Sequence, residues 1–133
     1  VTCRKELNKD YLKEDKIATL LTTESYNDLA SCEIAVTGCE CLVARTGTIV
    51  MSTAQQSGRT TSVYAPVHIC IAYSNQVIPD IKDALLHLKE KYSGNIPSLI
   101  TFASGPSRTA DIEKTLVTGV HGPKEVYCFL VEV

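Results

Sequence analysis

The chain has 133 residues, 44% of them hydrophobic, with 13 Lys and Arg against 15 Asp and Glu and a formal net charge of −2. That length supports one buried core and a single domain, while the charge balance leaves no basic face for duplex nucleic acid. No apolar run is long enough to cross a bilayer, and the charged opening residues lack the apolar stretch of a signal peptide.

The chain opens on Val1 rather than an initiator Met, so the short amino end reads as trimmed or processed. Residues 1–29 give a charged connection from Val1 to Asp15, a brief apolar run over Ile17–Leu21, and one or two helical turns over Ser25–Ala30. The core then runs from residue 30 to 133. Glu33–Gly38 reads as a parallel-sheet strand delivering its carboxyl end to a loop. Cys39–Arg45 leads to a turn at Thr46-Gly47 and to a strand over Thr48–Ser52. Gln55–Ser62 is polar, contains Gly58, and reads as a loop. Pro66–Tyr73 is apolar on both alternating faces, the mark of a central strand. Gln76–Tyr92 has a helical period through Ile78, Ile81, Leu85 and Leu88, with Pro79 tolerated in the first turn and Gly94 and Pro97 ending it. Ser98–Phe102 is a further buried strand, and Glu125–Val133 is the last. Strands alternating with helices and Gly-ended loops predict an α/β domain with a largely parallel sheet and helices on its faces.

The stretch Ser104-Gly105-Pro106-Ser107-Arg108-Thr109-Ala110-Asp111-Ile112-Glu113 organises the rest. Gly105 and Pro106 break the strand, Ser107 or Thr109 is placed to cap a helix, and Asp111 and Glu113 suit a helix N-terminus. Open amides, hydroxyls and the Arg108 guanidinium would then hold a phosphate or carboxylate at a strand's carboxyl end. The structural alternative is that Arg108 only pairs with Asp111 or Glu113. In Gly119-Val120-His121-Gly122-Pro123 the glycines let a backbone approach a bound group, and His121 can serve as acid–base or hydrogen-bond a carboxylate. Its alternative role is to hold its own loop. Thr46, Gly47 and Thr48 form either a small nest of amides or a plain turn. Arg59, in the polar loop, is a second cation for an anionic ligand. His68, inside an apolar strand, reads as a buried neutral imidazole, and His87 as a helix-end residue.

The six cysteines show no C-x-x-C spacing, and four lie in or beside strand-like runs where a thiol is a small hydrophobe. A reducing cytoplasm follows. Cys39 and Cys41, two apart, would share a strand face and could hold a soft metal, but core packing is the simpler expectation. No metal set is spelled out, and neither G-x-G-x-x-G nor a Walker loop is present, so no cofactor is expected.

Taken together, Thr37-Gly38-Cys39-Glu40, Thr46-Gly47-Thr48, Pro66-Val67-His68, Ser104–Glu113 and Gly119-Val120-His121-Gly122-Pro123 make the chain from about Ala30 onward resemble the LUD domain, the family of lactate utilisation protein C. The resemblance implies a fold similar to ribose-phosphate isomerases, CoA transferases and formyltetrahydrofolate cyclo-ligases. It also implies a role in oxidising lactate to pyruvate alongside separate iron–sulfur subunits. Two departures stand out. The amino-terminal region is shorter than is usual in the family, which would leave one sheet face short of helical cover, and Arg45 stands where the family commonly has Glu before the Thr-Gly turn.

Three functions are compatible with these residues. The first is a lactate-utilisation component that binds a small anionic metabolite through Gly105, Pro106, Ser107, Arg108, Thr109 and Asp111, with His121, Gly122, Thr46 and Gly47. The second is a stand-alone isomerase, transferase or cyclo-ligase, for which no complete set of nucleophile, base and oxyanion donors is present. The third is a ligand-free interaction module whose uncovered sheet face docks on another chain or on its own copy.

Overall fold

The structure is a computed structural model that describes residues 33–55, 61–112, 115–119 and 121–133. The readings for Val1–Asp15, Ile17–Leu21 and Ser25–Ala30, for Cys3, Cys32 and Arg59, and for Glu113 and Val120 lie outside the described residues.

Strands β1 (Ile34–Thr37), β4 (Val67–Tyr73) and β9 (Glu125–Val131) form an all-parallel sheet in the order β1-β4-β9. The doubly apolar β4 is therefore central, as its pattern predicts. A second sheet joins β2 (Cys41–Val43), β3 (Thr48–Ser52), β5 (Val77–Ile78) and β6 (Ile100–Ala103) in the order β5-β2-β3-β6. In it β2 and β5 run parallel, whereas β2–β3 and β3–β6 are antiparallel. Strands β7 (Arg108–Ile112) and β8 (Thr115–Thr118) make a separate antiparallel hairpin. A one-turn helix α1 (Thr61–Tyr64) precedes β4, and α2 (Ile81–Lys91) is the long helix. The architecture is α/β, as the sequence indicates.

Two apolar clusters set the layers. Ile49, Met51 and Cys39 from the second sheet meet Cys70, Ala72 and Val126 from the parallel sheet. On the other side of the second sheet, Cys41, Val43 and Val50 pack against Ala84 and Leu88 of α2. Every residue of β3 is buried because both of its faces are covered. Cys39 and Cys41, expected on one face, fall in different clusters: β2 begins only at Cys41, so strand alternation does not extend back to Cys39.

Helix α2 starts later than its periodicity suggests. Residues Ser74–Gln76 form a 3-10 turn, and Val77 and Ile78 pair with Leu42 and Val43. Asp80 caps the helix by accepting from the Ile81 N–H at 2.6 Å. A β-branched Ile78 followed by Pro79 and a capping Asp favours strand, break and helix start in that order. Only Ala84 and Leu88 of α2 are buried, whereas Ile81 and Leu85 face outward.

The larger correction concerns the turn after β6. The helix expected from Ser107 or Thr109 is absent: Arg108–Ile112 is strand β7, with Arg108 opposite Thr118 and Thr109 opposite Val117. The local cap signals there lose to pairing with Leu116-Val117-Thr118, a β-prone run further along the chain. The cap was incomplete in any case, because Ile112 stands where a capping box needs Glu or Gln.

One buried ionic cluster fixes the second layer. The Glu40 side chain is 0% exposed, and it accepts from Lys91 Nζ at 2.6 Å, Tyr92 OH at 2.7 Å and Ser52 Oγ at 2.5 Å. Burial alone would raise this carboxyl, but the donors from Lys91, Ser52 and Tyr92 outweigh it and hold it below its ordinary value. His68 is buried as expected, and its Nε2 shares a 2.8 Å hydrogen bond with Thr37 Oγ1. Burial lowers its imidazole to about 4.

These groups make stability fall with acid in two overlapping windows. An unfolded His68 takes up a proton that the native state refuses between pH 6.5 and about 4, so stability is lost as pH drops through that range. Glu40 contributes stability that is present above its ordinary value of 4.5 and lost as pH falls below it. Urea midpoints measured from pH 7 to pH 3 are expected to follow this course. Glu40→Gln should lower stability at pH 7 by about 2 kcal/mol and flatten the lower window, leaving the upper one intact.

Candidate functional site

Three loops singled out by the sequence meet at one place. The turn between β2 and β3 carries Thr46, whose Oγ1 lies 2.6 Å from Thr48 Oγ1. Thr48 in turn lies 2.7 Å from Ser104 Oγ, so a chain of three hydroxyls ties that turn to the end of β6. Gly105 then reverses the chain at φ 86°, a left-handed conformation that a side chain disfavours. The Ser107 N–H donates to the Pro123 carbonyl at 2.8 Å, and the Ser107 carbonyl accepts from the Gly119 N–H at 3.0 Å. These two bonds clasp the Gly105–Arg108 turn to the Gly119–Pro123 loop.

The clasp borders an open hollow of about 390 Å³ lined by Val63, Tyr64, Pro66, Gly119, His121, Gly122 and Lys124. Its place in the fold follows from the parallel sheet. Pro66 precedes β4 and Lys124 precedes β9, and the Lys124 N–H donates to the Pro66 carbonyl at 2.7 Å. The hollow therefore lies at the amino ends of the parallel strands. The turn does follow the carboxyl end of β6, as read from the sequence, but β6 belongs to the other sheet. Binding at the carboxyl ends, the general habit of open parallel sheets, is not what this clasp creates.

The two glycines have definite tasks. At Gly119, φ is 78°, and a Cβ there would stand 2.2 Å from Lys124 Cγ. The lysine stem thus lies directly over the glycine backbone, and Lys124 is one of the residues lining the hollow. At Gly122 a Cβ would stand 3.0 Å from Ser107 Cβ, so the two loops touch there without room for a side chain.

Of the predicted residues, His121 and Gly122 line the hollow, Ser107 is bonded to the loop that carries them, and Gly105 and Pro106 lie in the turn that leads to Ser107. Thr46 is joined to the start of that turn through Thr48 and Ser104, and Gly47 lies between the two threonines. Arg108 opens β7 one register position from Gly119; its side chain is exposed and does not line the hollow. Thr109 and Asp111 lie in β7 rather than at a helix start, so the amide cradle expected of them does not form. Sequence reasoning missed Lys124. The available signal was its position directly after Gly122-Pro123 at the entry to a strand.

Arg45, which departs from the family's usual acid, is engaged elsewhere. Its guanidinium reaches Asp80, the cap of α2, at 2.5 Å on the surface. That hydrogen bond, with the Ile81 N–H, holds the Asp80 carboxyl below its ordinary value. Glu40, the neighbouring acid, is enclosed by its three donors and cannot reach a ligand. No group of three or more His, Cys, Asp or Glu among the described residues is arranged to hold a metal ion. Among them, too, no helix is long and apolar enough to cross a membrane.

A profile of the LUD domain matches residues 4–131. Lactate utilization protein C of Bacillus licheniformis is 37% identical over 101 residues, which cover 74% of this chain and 42% of that protein. The protein of the same name from Halalkalibacterium halodurans is 37% identical over 101 residues, covering 74% of this chain and 44% of its own length. The chain thus spans less than half the length of these curated relatives. Among solved structures, a DUF162 family protein from Deinococcus radiodurans superposes with a TM-score of 0.58 at 21% identity, covering 82% of this chain and 58% of that one, a likeness of fold. The chain belongs to the LUD domain family.

Gly119→Ala is the substitution that tests the site's construction. It puts a side chain at φ 78° and displaces the Lys124 stem, so it should cost about 1 kcal/mol of stability. The Lys124 Nζ resonance in a lysine-detected NMR spectrum should move while signals from α2 stay in place.

Proposed function

We propose that this LUD-domain chain acts in lactate utilisation in the cytoplasm, as a single domain supporting the oxidation of lactate to pyruvate alongside separate iron–sulfur subunits. In this reading it holds a small anionic metabolite in the hollow that Val63, Tyr64 and Pro66 form with the Gly119–Lys124 loop, next to the Gly105–Arg108 turn. The observation that carries the reading is the clasp: two separated signature segments are joined by the Ser107–Pro123 and Gly119–Ser107 hydrogen bonds, beside a hollow edged by His121 and Lys124. The names of the curated relatives supply the physiological setting.

The chemistry suits a carboxylate. Lactate and pyruvate are both anionic near neutral pH, and each presents an oxygen beside the carboxylate that an imidazole N–H can bond. The Lys124 ammonium supplies the charge-assisted contact and Tyr64, Val63 and Pro66 an apolar wall. Oxidation of lactate to pyruvate releases two electrons and two protons, and the electrons pass to the partner subunits. This chain's part is to bind and orient. Arg108, exposed at the start of β7, adds long-range attraction rather than a direct contact.

Calorimetric titration of the purified chain with lactate, pyruvate, inorganic phosphate and a CoA-linked carboxylate tests this. One of the small anions should saturate a single site, and Lys124→Ala should weaken it about tenfold, the scale of one charge-assisted hydrogen bond at a partly open site. Arg108→Ala should weaken it less. Binding unchanged in both Lys124→Ala and His121→Ala would remove the hollow as the site.

A second reading, an interaction module, draws support from the outer face of the parallel sheet. Ile71, Tyr73, Phe129 and Val131 lie on that face in paired register, Ile71 opposite Phe129 and Tyr73 opposite Val131. All four are exposed, Ile71 at 40% and Phe129 at 39%. A parallel sheet is ordinarily covered on both faces, and in this reading a second copy of the chain supplies the cover. Light scattering over a range of concentrations should then give a dimer mass that Phe129→Lys converts to a monomer. A monomer at every concentration would set the reading aside.

A further inference from the structure

We infer that Cys128 and Cys70 form an oxidation-sensitive thiol pair, a modification site at which a hydroperoxide converts the two thiols into a reversible cross-strand disulfide. The inference is independent of the anion site and of lactate. Cys70 on β4 stands directly opposite Cys128 on β9. Neighbouring parallel strands lie about 4.8 Å apart, within the roughly 4.4–6.8 Å between Cα atoms that a disulfide spans. Cys70 lies in the apolar cluster between the sheets, and Cys128 packs against that same cluster. Accessibility separates their roles: Cys70 is fully buried, whereas Cys128 is partly exposed on the edge strand β9.

The pair has the two parts such a site needs, an accessible thiolate and a resolving thiol behind it. The neighbouring Cys70 thiol lowers the Cys128 thiol below its ordinary value, outweighing burial. Cys70 moves the other way, raised by the neighbouring Cys128 and Cys39 thiols and by burial. Cys41, in the other cluster, is raised to about 11, chiefly by burial, and stays inert. In the first step the Cys128 thiolate attacks a peroxide oxygen, the O–O bond breaks, and the departing alkoxide or hydroxide takes a proton; Cys128 becomes a sulfenic acid. In the second, the Cys70 sulfur loses its proton and attacks the Cys128 sulfur, the S–O bond breaks, and water leaves. Two thiols and one hydroperoxide thus yield one disulfide, one alcohol or water, and one further water. The two electrons pass from sulfur to the peroxide oxygens.

The test treats the reduced full chain with hydrogen peroxide, alkylates the remaining thiols and maps peptides by mass spectrometry with and without reductant. A Cys70–Cys128 linked peptide that disappears on reduction is expected, in Cys39→Ser as in the parent. In Cys70→Ser the sulfenic acid should persist on Cys128 and be trapped by dimedone. Cys128→Ser should protect Cys70 from peroxide. Consumption of Cys70 at the parent's rate in Cys128→Ser would overturn the inference, as would failure of Cys70→Ser to yield a trappable sulfenic acid. Alkylation rates of the parent give a check that needs no variant: Cys128 should be the fastest of the thiols at Cys39, Cys41, Cys70 and Cys128, and a slower Cys128 counts against the assignment.

Discussion

The arrangement of the second layer rests on the buried carboxylate of Glu40. Apolar contacts between α2 and the second sheet are non-directional, and Ala84 and Leu88 could slide along Val43 and Val50 at little cost. Glu40 cannot slide. It needs Lys91 and Tyr92 from the end of α2 and Ser52 from the end of β3 at hydrogen-bond distance simultaneously. Replacing such a cluster by apolar residues of equal volume often costs little, so its value lies less in net stability than in register. It pins the helix end to the strand, while Arg45 and Asp80 hold the helix start from the surface.

With the second sheet in register, the site follows from it. The hairpin of β2 and β3 presents Thr46 and Thr48, β6 pairs beside β3, and Ser104 arrives within reach of Thr48. The turn from Gly105 to Arg108 is thereby held at the one end of the molecule where the chain also enters β4 and β9. Backbone hydrogen bonds, rather than a helix dipole, join it to the Gly119–Pro123 loop. At this end the Lys124 stem is laid over Gly119, and His121 lines the same hollow. A lysine held by its stem keeps its methylenes against the backbone and leaves its ammonium to the polar side.

What the sequence disclosed and what it hid divide along physical lines. Thr48–Ser52 and Pro66–Tyr73 were legible because short β-branched runs bounded by turns leave little alternative, and the buried neutral state of His68 follows from such a run. The start of α2 was misplaced because helical periodicity continues back through Ile78, while Pro79 and the Asp80 cap decide the matter locally. Arg108–Ile112 was misread for a deeper reason. Its cap-like residues favour a helix over one turn, whereas the partner that makes it a strand, Thr115–Thr118, enters only through tertiary pairing. Lys124 was invisible for the same reason: what gives it a task is the absence of a side chain at Gly119, which matters only once the loop is folded. The motif residues were recognisable by type, but their partners were not.

The ladder of β4 and β9 joins these separate observations. The strands are in register over all seven residues of β4, and alternation sends their side chains to two faces with different fates. The inner face carries His68, Cys70 and Cys128 into the space between the sheets, where His68 bonds Thr37 and the two cysteines stand opposite one another in an apolar cluster. The outer face carries Ile71, Tyr73, Phe129 and Val131, apolar residues that parallel pairing ordinarily puts under cover. The entry residues Pro66 and Lys124 are bonded to each other and line the hollow. The hollow, the facing cysteines and the open face are thus consequences of one strand pairing. A displacement of β9 by one residue would separate Lys124 from Pro66, Cys128 from Cys70 and Phe129 from Ile71, and would turn the inner and outer sets over together.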